Sequence, residues 1–326
     1  KQVLWKNKKI IMNIIFKIMF FITFISFSNF ILKLSLANIV VIAYDNFSDK
    51  DLSLNIINEH INLLNNKKYF LLTTNNIIDA KFSSKILPNY SVAITISSNK
   101  KQIINNIWPS LAKASIPFTL FIDPNLIGNN DYNMTWEDII ILNNNGIEIG
   151  IRSTPKNIKN AIKLYKNNLG IDPISYQYKL GIWSEAEINI LKENNIKMAF
   201  GDSSGPISFN MDIYKLPRFN ISGKFSNIKR LKTVLETLPL EVSNILPENN
   251  TLHNNPPLYG FTLLNKNQIP KCYTNNNKEA EVIVVNEYRI EVRTNKFNGS
   301  KARINCISKN ANNRLLWHGS LYWVNN

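Results

Sequence analysis

"SVAITISSNKKQIINNIWPSLAKASIPFTLFI" (residues 91–122) decides the fold class. Its first six residues are β-branched and small apolar side chains, the composition of a strand buried on both faces. A turn follows at Ser97-Ser98-Asn99, then apolar residues at helical spacing as far as Ala114, then a second apolar strand, "PFTLFI" (117–122). Two such strands joined by an amphipathic helix make a parallel β-α-β unit. An enzyme of this layout places its catalytic acids in the turn after the first strand. Here that turn offers two hydroxyls and an amide.

The alternation continues on both sides. "NIVVIAY" (38–44) and "YFLLTT" (69–74) bracket the helically spaced "SLNIINEHINLLNN" (53–66). Downstream, "MTWEDIIILNNNGIEIGI" (134–151) has Thr135 and Asp138 at capping-box spacing, and Gly146 where a helix end calls for a left-handed residue. "WSEAEINILKENNIKMAFG" (183–201) repeats the device with Ser184 and Glu187. Strands are expected near 38–44, 69–74, 91–96, 117–122, 147–151, 173–177 and 197–200. Six or seven such steps suit a distorted (β/α) barrel over residues 38–250 better than an open doubly wound sheet. After Pro239 the texture changes. "LPENNTLHNNPPLYG" reads as a linker, and "FTLLN", "EAEVIVVN", "YRIEVRT", "ARINCIS" and "RLLWHGSLYWV" follow as strands without helices. This predicts a small β-rich module over 251–326. A module of that size needs a staple, and the chain's two cysteines, Cys272 and Cys306, both fall inside it, so a disulfide is expected.

The 326 residues are 44% hydrophobic and 19% charged, which is globular rather than disordered. The net charge of +15 is carried by scattered lysines, with no basic stripe and no nucleic-acid motif, so it reads as solvated surface and no nucleic-acid partner is expected. Residues 1–37 read as an N-terminal extension and signal peptide. Lys17 precedes an apolar run over 18–32, which closes on the small residues Ser35-Leu36-Ala37. An uncleaved membrane anchor formed by residues 18–32 is the other reading; Ser26, Ser28 and Asn29 interrupt the run and favour cleavage. Either way the body is expected to be exported, to the periplasm or cell envelope.

In order along the chain, "VAITISSN", "WPSLAKASIPFTLFI", "MTWEDIIILNNNGIEIGIRSTPK", "SYQYKLGIWSEAEINILKENNIKMAFGDSSGPI", "LPRF" and "NPPLYGFTL" resemble the segments of the NodB-type polysaccharide deacetylases. The resemblance implies a fold and a chemistry: metal-assisted removal of an N-acetyl group from an amino sugar. One Asp and two His would hold a divalent metal such as zinc, a second Asp would take a proton from water, and a later His would protonate the leaving amine. The resemblance puts Ser97 and Ser98 where the family has two aspartates, and Arg152 and Lys156 where it has a His pair. Gln177 replaces the substrate-loop proline, and Tyr44-Asp45 replaces an early Tyr-His.

These departures predict a degenerate member with no intact catalytic residue, no metal site, no cofactor and a positively charged mouth. Arg152 does not deprotonate in a protein, and Lys156 would repel a divalent cation. Ser97 or Ser98 as nucleophile, with Lys156 as base, lacks the Gly-x-Ser-x-Gly elbow and is disfavoured. His60, His253 and His318 are the only histidines and none pairs with another at ligand spacing, so they read as solvated or hydrogen-bonded. Tyr176, Tyr178 and Trp183 are candidates for stacking against sugar rings. The function expected is an exported deacetylase-like protein without metal-dependent activity, binding a cell-envelope polysaccharide or amino-sugar oligomer. The alternatives are an active hydrolase removing N-acetyl or O-acetyl groups, and an envelope scaffold that docks through its β module.

Overall fold

Buried strands come first because they carry the longest apolar runs. β1 (Ile39–Asp45) and β3 (Ser91–Ser97) are solvent-free over almost every residue, and they pair in parallel from Ile39–Ser91 to Asp45–Ser97. A computed structural model describes residues 39–45, 53–83, 87–208 and 210–325. The signal-peptide reading of residues 1–37, with its anchor alternative at 18–32, lies outside them. Among the described residues no helix is long and apolar enough to cross a membrane. Asn38–Asn326 form one compact unit.

β4 (Thr119–Ile122), β5 (Glu148–Ser153), β6 (Ser175–Tyr178) and β7 (Met198–Phe200) add in chain order beyond β3. β2 (Phe70–Leu72) shares β3, and β8 (Phe219–Asn220) pairs with β1 on the far edge. Every pairing in this eight-stranded sheet is parallel, and the order never reverses about a central strand, so it is not doubly wound. The segment 213–221 closes the ring. Its Leu216 exchanges backbone hydrogen bonds with Ala199 and Gly201 at the β7 edge, at 3.1 and 2.9 Å, while Phe219 and Asn220 lie on β1. The fold is the distorted (β/α) barrel expected from the sequence.

The helices are α1 (Leu54–Leu64), α2 (Thr74–Ser83), α3 (Trp108–Lys113), α4 (Trp136–Asn144), α5 (Ile158–Leu169), α6 (Glu185–Glu193) and α7 (Ile228–Leu235). Thr135 and Asp138 form the full capping box on α4, a device worth about 1 kcal/mol. The single helix expected over 101–114 is instead a π turn (Ile103–Ile107) leading into α3. Pro109 explains the difference: it has no N–H to donate back to the preceding turn, so it stands at the start of α3 instead of inside a longer helix. The spacing of Gly146 and Gly150 has two causes. Gly146 turns the chain at φ +82°, and Gly150 lets the Phe121 ring lie against β5, where a Cβ would fall 2.4 Å from the ring.

A second, nine-stranded sheet contains β9 (Leu238–Pro239), β10 (Val242–Leu246), β11 (Thr251–Leu252), β12 (Tyr259–Leu263), β13 (Lys271–Tyr273), β14 (Glu279–Val285), β15 (Arg289–Arg293), β16 (Lys301–Lys309) and β17 (Leu315–Val324). Cys272 and Cys306 face each other across β13 and β16 and are bonded, with S–S 2.00 Å. Closing a loop of 34 residues in the unfolded chain corresponds to roughly 3–4 kcal/mol. The sheet is fastened to the barrel through β17. Trp317 packs edge-on against Phe219 at 5.2 Å, and Gly319 lies so close to the Ser204 backbone that a Cβ would clash at 2.2 Å.

Glu187 carries an electrostatic cost of this packing. It sits in the first turn of α6, only 5% exposed, and burial pushes its carboxyl from 4.5 up to about 7, against the opposing hydrogen bonds of Ser184. The folded chain therefore holds that proton more tightly than the unfolded chain. Its contribution is fully favourable below pH 4.5 and is lost as pH rises through about 7. Glu187→Gln should flatten the pH dependence of thermal stability between pH 5 and 8, as about that window requires, and stabilise the protein at pH 8 by on the order of 2 kcal/mol. Thermal melts across that range test it, and parallel curves for the two proteins would refute it.

Candidate active site at the barrel mouth

Residues paired across a parallel sheet point to the same side. The register aligns Asp45 with Ser97, Ser97 with Phe121, Phe121 with Gly150, and Arg152 with Gln177. Asp45, Ser97, Arg152 and Gln177 therefore share one face at the C-terminal ends of the strands. Ser97 is 4% exposed, and its hydroxyl donates to Gln177 Oε1 at 2.6 Å. Ser98 follows on the rim, where its Oγ accepts from the Lys100 backbone at 3.1 Å. Arg152 reaches the Lys179 carbonyl only at 3.5 Å, and its buried Nε has no partner. Lys156 is exposed on the turn before α5, and no hydrogen bond or ion pair among the described residues joins it to Ser97, Ser98 or Arg152. The four positions do not converge as a set: Ser97 and Arg152 share the inner face, and Lys156 stands apart.

The strongest charges at the mouth are others. Arg218, 1% exposed, donates from Nη2 to Asp202 Oδ1 at 2.6 Å and to Asp45 Oδ2 at 3.3 Å, from Nε to the Gly201 carbonyl at 3.1 Å, and from Nη1 to Thr95 Oγ1 at 3.2 Å. Burial works against its charge, and the two carboxylates more than offset that and raise its pKa. Asp123, at the end of β4, pairs with Lys179 Nζ at 2.9 Å, and its other oxygen accepts from Asn125. The carboxylates Asp45, Asp123 and Asp202 are thus paired with Lys179 and Arg218, while the third cation, Arg152, meets only a carbonyl. The mouth is charge-balanced, not positive as the sequence reading expected. That reading considered only the four substituted positions. The polar residue at or directly after the end of an apolar strand carried the signal: it picks out Asp45, which the resemblance had already marked, together with Asp123 and Lys179, and Asp202 lies two residues past β7.

Solved structures with this architecture were found. The Streptococcus pyogenes deacetylase PplD, in complex with acetate, superposes with a TM-score of 0.54 at 14% identity, over 62% of this chain and 98% of its own. A de-N-acetylase from Aggregatibacter actinomycetemcomitans gives 0.54 at 14%, over 60% and 99%. IcaB from Ammonifex degensii gives 0.52 at 14%, over 61% and 97%. The barrel has the NodB-type deacetylase fold. No family model and no curated protein matches the sequence. At such identity the likeness extends to the fold alone, and the chemistry must be read from the residues.

The metal that the deacetylase resemblance implies can be tested against those residues. Ser97 and Ser98 are neutral hydroxyls, Arg152 is a permanent cation, and Lys156 is an exposed amine. The carboxylates nearby are paired with Arg218 and Lys179; Asp45 Oδ1 is buried without a donor, and no second carboxylate or imidazole stands with it as a ligand set. Among the described residues no group of three or more His, Cys, Asp and Glu side chains is placed to hold a metal ion. These residues do not fit a divalent cation, and no chemical step is derived through one. His60 and His318 are structural. His60 Nε2 donates to the Ser226 carbonyl at 2.7 Å, which leaves Nδ1 to accept from the Tyr44 hydroxyl at 2.9 Å. His318 is buried against Phe261, which lowers its pKa to about 4, and His253 is exposed.

Of the three stacking candidates, two are excluded. Tyr176 and Tyr178 have no exposed surface; they pack edge-to-face at 5.3 Å and donate to the carbonyls of Ser153 and Tyr214. Burying β6 on both faces leaves them no open ring. Trp183 lies instead on the wall of a cavity of about 550 Å³ between the loop after β7 and the second sheet, together with Ser208, Glu241, Trp317 and His318.

Arg218 is the group on which this site rests. Replacing it with Met leaves Asp45 and Asp202 uncompensated at the barrel closure, a loss of about 3–5 kcal/mol. Chemical denaturation of Arg218→Met should show that loss. Arg218→Lys should recover only part of it, because an ammonium cannot span four acceptors in a planar fork. Full stability in the Met variant would refute the assignment.

Proposed function

We propose that this chain is an exported, deacetylase-like protein of carbohydrate metabolism that binds glycan and does not carry out metal-dependent deacetylation. The observation that carries the proposal is the donor set at the mouth. Two hydroxyls and a guanidinium stand where the deacetylase resemblance calls for carboxylates and imidazole, and the Ser97 hydroxyl is committed to Gln177. A hydroxyl held by an amide acceptor is not deprotonated, and no histidine among the described residues reaches it to act as base. The same substitutions leave the barrel core intact, so the scaffold outlasts the chemistry that the resemblance implies. The export reading rests on residues 1–37 of the sequence and supports a periplasmic or cell-envelope glycan as partner.

Purified protein incubated with N-acetylated oligosaccharides should release no acetate above background, with or without added zinc. Acetate release by the unmodified chain that a chelator abolishes would overturn the proposal.

A further inference from the structure

No basic stripe runs along the sequence, but the fold assembles one at the rim of the barrel mouth. The peptide groups that follow β6 and β7 hold three cations on backbone carbonyls. Arg152 Nη2 reaches the Lys179 carbonyl at 3.5 Å, Lys301 Nζ donates to the Leu180 carbonyl at 2.8 Å, and Arg303 Nη1 donates to the Asp202 carbonyl at 2.7 Å. The two segments are themselves joined, since the Asp202 amide donates to the Gly181 carbonyl at 2.8 Å. Successive Cα atoms are about 3.8 Å apart, so these contacts gather the three cations at one edge of the mouth. Lys301 and Arg303 are two apart on β16 and point to the same side, their Cα atoms about 7 Å apart. Arg230, near the start of α7, continues the row: its guanidinium lies 4.6 Å from the centre of the Phe225 ring, and Lys224 Nζ lies 5.2 Å from the same ring. Burial lowers the Arg230 pKa, and the neighbouring charge of Arg303 lowers it further.

None of Arg152, Lys224, Arg230, Lys301 and Arg303 forms an ion pair among the described residues. Asp202 attracts Arg303 from beyond ion-pair distance, but its Oδ1 is held by Arg218. A neutral carbonyl positions a cation without cancelling its charge. The strand ends of the mouth balance among themselves, and the second sheet and the segment around α7 add Lys224, Arg230, Lys301 and Arg303 around them. The rim is therefore positive.

We infer that this rim binds an acidic polysaccharide, with the anionic groups of successive sugars on Lys301, Arg303 and Arg230. The inference deepens the glycan-binding reading proposed above and rests on it. The chemistry recognised is an anion on a sugar ring, which a uronate carboxylate and a sulfate ester both supply. Two features favour a sugar chain over a strand of DNA. The carbonyls of Lys179, Leu180 and Asp202 each keep a second lone pair, so acceptors for sugar hydroxyls alternate with the cations, and a DNA strand carries no such hydroxyl donors. The aromatic rings at this edge are also faced by cations instead of standing open to stack bases: Phe225 by Lys224 and Arg230, and Trp183 by Lys215 at 4.1 Å.

Isothermal titration of the protein with a galacturonate hexamer, a sulfated hexasaccharide, the uncharged counterpart of each (methyl-esterified or desulfated) and a thymidylate hexamer tests the rim. At low salt at least one acidic hexasaccharide should bind about tenfold more tightly than its uncharged counterpart, the size of effect that charge-assisted hydrogen bonds produce. Whichever acid binds more tightly identifies the group recognised. Its affinity should fall severalfold when salt is raised to about 0.3 M. Arg303→Gln should weaken it by about tenfold. Because Arg303 also ties the second sheet to Ser204, Arg230→Gln serves as a second variant: its side chain makes no hydrogen bond among the described residues, and its loss should weaken binding severalfold. Acids binding no more tightly than their uncharged counterparts, thymidylate binding as tightly as the better acid, no binding of either acid at millimolar concentration, or binding indifferent to both variants would each overturn the inference. Tight binding of an uncharged hexasaccharide alone would do so while leaving the glycan reading standing, whereas chelator-sensitive acetate release would overturn that reading and leave the charge dependence of the rim untouched.

Discussion

A single guanidinium closes this barrel. The parallel sheet runs from β1 through β3 to β7, and its edges are joined by the segment 213–221, from which Arg218 projects inward, and by a bridge from Ile207 to Ile39 of β1. Its four bonds reach Asp45 on β1, Thr95 on β3, and Gly201 and Asp202 just past β7. Backbone pairing alone would leave two short edges, Leu216 against Phe200 and Phe219 with Asn220 against β1. A buried cation needs its carboxylates, and each carboxylate belongs to a different edge, so the charges enforce the closure. The second sheet depends on the same place, since Arg303 donates to the Asp202 carbonyl at 2.7 Å and to Ser204 Oγ at 3.0 Å.

That closure has a chemical consequence. A barrel mouth built for Lewis-acid hydrolysis presents free carboxylates and imidazoles to a cation. Here Asp45 and Asp202 are bound to Arg218, Asp123 is bound to Lys179, and Ser97 is turned toward Gln177. Charges that would serve as ligands serve as structure. Two buried carboxylate oxygens among the described residues are left without a donor, Asp45 Oδ1 at the mouth and Glu241 Oε1 beside the second sheet.

Much of this was legible in the sequence. The strands were readable because residues buried on both faces must be apolar throughout, and β1, β3 and β4 are. The capped starts of α4 and α6 were readable because Thr135 and Ser184 are short-range signals. The disulfide followed from two cysteines in one small β-rich segment. Long-range pairs were not readable. Nothing near Arg218 in the chain announces that it meets Asp45, 173 residues away. Tyr176 and Tyr178 looked like stacking surfaces because an aromatic side chain does not state which way its strand is covered. The break of the 101–114 helix was visible in Pro109, and weighing that residue against the apolar spacing would have found it.

The account stands on one claim, that the mouth of this deacetylase-type barrel has no donor set for a divalent cation. Calorimetric titration of tag-free protein with zinc at neutral pH, followed by metal analysis of the dialysed sample, addresses it directly. The account predicts no stoichiometric binding and less than one retained zinc for every several chains, about the level of adventitious surface sites. One zinc per chain, retained through dialysis and lost on Asp45→Asn or Asp202→Asn, would contradict it.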